Sequence, residues 1–243
     1  MTDPFRHRTG TPDAPVRTFH PRRSVLGPAR LDALERLWPR LGFSVHQPDQ
    51  APPLAGGLLD RTALFGREAP LVVEIGSGMG EATATMAAAD PDRDYLALEA
   101  HQPGIAHLLG LLEAGGVTNV RIGHGDALEL LADRIAPGSL DAVHIFFPDP
   151  WPKARHHKRR IISPDRVALI AGRLRPGGVL HCATDWAEYG AEMLEVLTAE
   201  PLLVNTAPDG GFTPRPAHRP VTKFERRGLA AGHDVVDLVF RRA

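Results

Sequence analysis

The sequence predicts an α/β fold, a doubly wound and mostly parallel sheet with helices on both faces. Three observations predict it. From Leu71 onward, short apolar segments of strand length alternate with segments of helical period. Turn and cap residues punctuate the junctions: Gly115-Gly116 closes one helix, Ser163-Pro164 reads as an N-cap with Pro at N1, and Gly177-Gly178 turns the chain back into a strand. A glycine-rich turn, Gly76 to Gly80, joins the first strand to the first helix, where open α/β sheets accept ligands. The 243 residues, 43% hydrophobic and 23% charged, suffice for one large α/β core with an extension.

Taken in order, residues 1 to 30 are rich in Pro, Arg, Thr and Gly without apolar period, which predicts a mobile basic tail. Leu31, Leu34, Leu37 and Trp38 form an apolar stripe that predicts a helix at about 29 to 40, and residues 47 to 59 read as a linker. The domain organisation is therefore a tail at 1–30, a helix and linker at 31–59, and one domain at 60–243. Strands are predicted at 71–75, 95–98, 119–122, 140–147 and 179–183, with helices at 80–89, 103–114, 127–135, 164–174 and 186–198. The alternation at 233–240 predicts a late, antiparallel strand.

No apolar run approaches the ~18 to 20 residues that cross a bilayer, and the N-terminus has no secretory signal, so a soluble cytoplasmic protein without a membrane role is expected. The single cysteine, Cys182, excludes an internal disulfide and any multi-cysteine metal site, and no metal is expected. The net charge of -1 conceals an uneven distribution. Residues 60 to 150 carry 5 Arg against 14 acids, whereas residues 151 to 165 carry 5 cations and the single acid Asp165. The local field decides whether phosphate can dock, so this basic segment points to a polyanion. Only three Lys (Lys153, Lys158, Lys223) stand against 25 Arg, which marks these positions as places where a compact ammonium matters.

In the turn, Gly76, Gly78 and Gly80 remove side chains from the carboxyl end of the sheet. A dinucleotide fingerprint needs Gly or Ala at position 81, where Glu81 instead sets a carboxylate against the pyrophosphate site, so NAD is disfavoured. Glu74 suits a cationic ligand such as the amino-acid end of S-adenosylmethionine. Glu99, closing the second strand, can accept from both ribose hydroxyls, and Asp126, after the third, from an adenine amino group. Singly, each also reads as an ordinary strand-end charge, a surface group or an N-cap. Together, three acids at successive strand ends point to one ligand.

After the fourth strand, Pro148 and Pro150 fix the directions of Asp149 and Trp151. A carboxylate can accept from guanine N1–H and N2–H, and an aromatic ring can stack on an extruded base, although core packing also explains a lone Trp. Lys153, Arg155, Lys158, Arg159 and Arg160 follow within eight residues, with His156 and His157 between them and no acid, a run suited to displacing counterions from phosphates. Asp185 with Glu188 reads as a capping box. Composition explains Pro220 to Gly228 as a solvated charged turn.

The segments EIGSGMG (74–80), LEAHQPG (98–104), FFPDPWPKARHHKRRI (146–161), ATDW (183–186) and RPVTKFERRG (219–228) resemble the bacterial tRNA (guanine-N7-)-methyltransferase family. The likeness runs from about Arg17 to the C-terminus, and the 146–161 block is its most specific part. Residues 1 to 16 match nothing in it, and Arg22-Arg23-Ser24 departs from the family's pattern. The resemblance implies a class I methyltransferase fold, Rossmann-like with seven strands, and transfer of a methyl group from S-adenosylmethionine to N7 of guanine 46 in the tRNA variable loop. It implies cofactor contacts from Glu74, Glu99, Asp126 and Asp149, with Asp149 also catalytic. It implies substrate contacts from Lys153, Asp185, Thr222, Lys223, Phe224 and Glu225. No obligate protein partner is evident.

Three alternatives stand beside this reading, of which a small-molecule methyltransferase fits least well because it leaves the basic run at 153–160 unexplained. Pro-Asp-Pro-Trp is similar to the Asp-Pro-Pro-Trp motifs of methyltransferases that act on exocyclic amino groups, but there both prolines follow the polar residue, whereas Pro148 precedes Asp149. A non-catalytic RNA-binding module would have no need of the acids and glycines of the cofactor turn.

Overall fold

The computed structural model describes residues 18–19, 25–230, 232 and 234–243, with the side chains of Pro48, Lys223, Phe224 and Arg227 excepted. The expected basic tail therefore lies largely outside the described residues, as does the side-chain role expected of Lys223 and Phe224. The chain divides after Ile135 into two compact units.

The first unit opens with α1 (Pro28–Leu41), whose buried face is Ala33, Leu34, Leu37, Trp38 and Leu41. The expected stripe is thus shifted by one turn, and Leu31 is left 47% exposed. Next come β1 (Gly42–Ser44), a small hairpin of β2 (Leu54–Ala55) and β3 (Leu58–Leu59), and α2 (Arg61–Phe65), capped by the Asp60 carboxylate. The alternating part follows as β4 (Leu71–Ile75), α3 (Glu81–Ala89), β5 (Asp94–Glu99), α4 (Gln102–Gly115), β6 (Val120–His124) and α5 (Ala127–Arg134). Its strands run β1-β6-β5-β4, all parallel. β4 is buried at every position, as expected for a strand covered on both faces. Asn119 ties the far end together by donating to the carbonyls of Ala87, Asp90 and Arg93.

The second unit contains β7 (Leu140–Phe146), a 3-10 helix at Ala154–Arg159, α6 (Pro164–Arg173), β8 (Leu174–Thr184), α7 (Ala187–Ala199), β9 (Leu203–Asn205), α8 (Lys223–Ala230) and β10 (Val236–Arg242). Its order is β7-β8-β10-β9, with β7 parallel to β8 and β10 antiparallel to both neighbours. The turn expected at Gly177-Gly178 lies inside the span of β8, where Leu140 pairs with Leu174 but Ala142 pairs with Val179. Gly177 takes φ +77, and a Cβ on Gly178 would press on the Arg175 and Leu140 carbonyls.

The α/β class and the antiparallel last strand are as expected, whereas the strand count is corrected. Among the described residues the main-sheet strands number four in each unit, eight against the expected seven, and two of them, β1 and β9, lie where the sequence reading placed none. Three residues are too short for periodicity to register, and β1 owes its pairing to β6 rather than to local propensity. Further elements lie in segments read otherwise: β2 and β3 in the expected linker, and α8 in the expected charged turn. Among the described residues, no helix is long and apolar enough to cross a membrane.

Candidate functional site

In the first unit, the carboxyl ends of three adjacent parallel strands bring together the acids that the sequence singles out. Glu74 lies within β4 and is buried, accepting a 2.5 Å hydrogen bond from the Thr83 hydroxyl on α3. Burial, with the Glu99 charge adding to it, raises its carboxyl to about 7, so a cationic ligand is what would restore its ionisation at neutral pH. Glu99 ends β5 and accepts from the backbone N–H groups of Gly78, Ala100 and His101, each at 2.7 Å. These bonds hold its carboxylate against the glycine turn. Asp126 follows β6 and caps α5 by accepting from Leu128 N at 2.9 Å, so its N-cap reading is realised.

The turn has the backbone that its glycines permit. Gly76, Gly78 and Gly80 take φ of +75, +57 and +77, a region that L side chains rarely adopt. A Cβ on Gly76 or Gly78 would meet no protein atom within 4 Å, so their bare faces border open space. A Cβ on Gly80 would strike Leu108, and one on Gly104 would overlap the Gly78 carbonyl oxygen, so α4 packs directly on the turn. A buried acid awaiting a cation, a fixed acid at the next strand end and an open glycine face fit S-adenosylmethionine, whose amino-acid end carries an ammonium group and whose ribose offers two hydroxyls.

In the second unit, β7 runs into Pro148-Asp149-Pro150. The residues on either side, Phe147 (φ 49) and Trp151 (φ 46), are the non-glycine residues with positive φ among the described residues. Such conformations cost roughly 1 to 3 kcal/mol each and gather at functional sites. Asp149 between them is exposed. Trp151 is half-buried, with the Arg159 guanidinium 4.9 Å over its ring and His156 edge-on at 5.9 Å. The lone Trp is therefore neither core nor a bare stacking platform, since one contact of its ring is taken by a cation.

The basic run folds as the 3-10 helix, with Lys153, Arg155 and Lys158 exposed. Partial loss of hydration and the cations Arg155, Arg159, Lys153 and Lys158 lower the His156 pKa, so a bound phosphate would reverse the charge part of that effect. His157 approaches Glu188 at 4.0 Å. Arg160 corrects the expectation of a phosphate contact. It is fully buried, donates to the Pro150 carbonyl at 2.8 Å, pairs with Glu188 and Glu192, and lies over the Tyr189 ring. Its charge is spent inside the protein, holding the Pro-Asp-Pro turn to α7. The expected capping box is not formed: Glu188 pairs with Arg160, and α7 has Trp186 rather than Asp185 at its N-cap, without a side-chain cap bond.

Asp185 is half-buried just past β8. Thr222 accepts from Glu225 N at 3.1 Å and from Arg226 N through its carbonyl, which makes it the N-cap of α8. Glu225 is corrected likewise: it is buried and pairs bidentately with Arg219 at 2.6 and 2.9 Å, which leaves it a supporting partner rather than an exposed contact. Arg219 also donates twice to Asp237 and lies 5.9 and 5.5 Å over Phe146 and Phe147. Sequence reasoning missed Arg219 and Asp237. The signal available for α8 was the Thr222-x-x-Glu225 spacing of a capping box. Cys182 is buried and its thiol is pushed well above the ordinary range, so it is inert.

A family model described as "Putative methyltransferase" matches residues 68–238, which sets the class of the chain. Three tRNA (guanine-N(7)-)-methyltransferases are similar along nearly all of it. That of Streptomyces avermitilis is 52% identical over 93% of this chain and 75% of its own length. Those of Aromatoleum aromaticum (54% identical, 93% of this chain, 83% of its own) and Nitrosospira multiformis (49% identical, 96% of each) agree. The chain belongs to the tRNA (guanine-N(7)-)-methyltransferase family, whose enzymes are methyltransferases that depend on S-adenosylmethionine.

Proposed function

We propose that the protein methylates N7 of guanine 46 in the tRNA variable loop, with Asp149 orienting the base. The observation that carries this reading is the exposed Asp149 held between two positive-φ residues and followed by exposed cations at Lys153, Arg155 and Lys158. S-adenosylmethionine, when bound, supplies the methyl group on a sulfonium. Glu74 meets the ammonium of its amino-acid end, Glu99 its ribose, and Asp126 its adenine, while the glycine turn lets it lie against backbone. Guanine N7 has an in-plane lone pair and no proton, so it needs no general base. The work left to the protein is alignment, which can lower a barrier by ~7 to 11 kcal/mol when reacting atoms are held in line.

In this mechanism the Asp149 carboxylate accepts from N1–H and N2–H of guanine, and Pro148 and Pro150 keep it from turning away. Lys153, Arg155 and Lys158 hold phosphates, and Asp185, Thr222, Lys223 and Phe224 take the remaining substrate contacts. Unmodified tRNA incubated with the protein and labelled S-adenosylmethionine is expected to be cut at nucleotide 46 by borohydride and aniline, which cleave at 7-methylguanosine. Label at another base or atom refutes the assignment. Asp149→Asn is expected to lose at least 100-fold in kcat/KM, and near wild-type turnover would exclude the orienting role.

A further inference from the structure

We propose that His144, His181 and His218 form a binding site for one divalent transition-metal ion. The register of β7 and β8 pairs His144 with His181, and both side chains are buried. His218, exposed in the segment ahead of α8, completes the group, with ring centroids 5.8, 5.7 and 5.2 Å apart. One nitrogen from each ring lies within 4.8 Å of the others, and His181 Nδ1 and His218 Nε2 are 3.2 Å apart. Tetrahedral zinc at ~2.0 to 2.1 Å from each imidazole nitrogen sets an edge of about 3.3 Å, so that edge has its size, and the other two, at most 4.8 Å, must shorten when the ion binds.

The surroundings suit a cation. His181 Nε2 lies 2.7 Å from Asp237 Oδ1, and a proton on that nitrogen leaves Nδ1 with its lone pair toward the cluster. A carboxylate behind a ligating histidine is the usual support of such a ligand. Asp237 is in turn held by Arg219, which also pairs with Glu225, so this buried group has two carboxylates against one guanidinium. An all-imidazole donor set selects zinc, cobalt, nickel or copper over magnesium or calcium. The exposed side at His218 gives the ion an entry path and leaves room for water as a fourth ligand. Bound there, the ion would fasten the segment leading into Thr222 and α8 to β7 and β8.

The test uses the full chain, stripped with chelator and titrated with Zn2+ in competition with a chromophoric chelator, and with Co2+ by visible absorption. One ion per chain is expected, with cobalt bands of four- or five-fold nitrogen ligation, and the zinc-edge absorption spectrum is expected to show three imidazoles. His218→Ala, at an exposed position, is expected to weaken binding at least 100-fold while keeping the circular dichroism of the stripped wild type. Absence of stoichiometric binding overturns the proposal, as does unchanged affinity in the folded variant. A shell of one imidazole with oxygens also overturns it, because that is the donor set of the separate group His157, Glu188 and Glu192.

Discussion

Burial raises the Glu74 carboxyl to about 7, so at pH 6 most of it is protonated and at pH 7 about half carries the charge that a cationic ligand needs. Affinity for S-adenosylmethionine, measured by calorimetry, is expected to rise about fivefold from pH 6 to pH 7, and Glu74→Gln to flatten that rise. Because the folded pKa is raised, the cofactor-free protein keeps this group's full contribution to stability below the unfolded value of 4.5. It loses roughly 3 kcal/mol of it as pH climbs to about 7 and beyond, a slope that denaturant melts of Glu74→Gln should lack. Arg160 shows the opposite use of burial. Removing its guanidinium strands Glu188, Glu192 and the Pro150 carbonyl, and Arg160→Ala is expected to cost roughly 3 kcal/mol in denaturant melts, the low end for a buried pair because Glu188 reaches solvent. Neither fate is written locally: a Glu near a strand end and an Arg in a basic run acquire theirs from the elements packed on them.

At the scale of elements, helix α4 acts on the cofactor turn through Gly104. Gly104→Ala would push the Gly78 carbonyl aside, and is expected to weaken S-adenosylmethionine binding at least tenfold with most of the stability retained, read by calorimetry beside thermal melts. The ends of the alternating elements were legible because they follow from local rules. β4 and the start of β7 fall where the apolar runs place them, and α6 starts at Pro164 behind Ser163 as the Ser-Pro pair dictates. β1 and β9, at three residues each, have no period to read, and they exist as strands because β6 and β10 offer them backbone partners. Helix α8 was masked by its charge. Lys223 to Arg227 reads as solvated by composition, yet Thr222 caps the helix and Glu225 turns inward to Arg219.

Over the whole molecule, the -1 net charge says nothing about tRNA, and the basic segment says less than its five cations suggest. Arg160 is internal and Arg159 covers Trp151, which leaves Lys153, Arg155 and Lys158 fully outside. Lys158→Ala is therefore expected to reduce the slope of log affinity for tRNA against log salt by about 1 in filter binding, whereas a slope equal to wild type would remove Lys158 from the phosphate contacts. The sequence by itself determined the α/β alternation, the glycine turn with its three acids, the Pro-Asp-Pro platform and the family, because hydrophobic period, φ preference and motif spacing are properties of neighbours along the chain. Tertiary structure alone decided that Arg160 and Glu225 are internal partners, that β1 enlarges the sheet, and that His144, His181 and His218, spaced 37 residues apart, converge. Those outcomes depend on strand register and on which charges lose their water, and both are set by contacts between distant segments that no local pattern encodes.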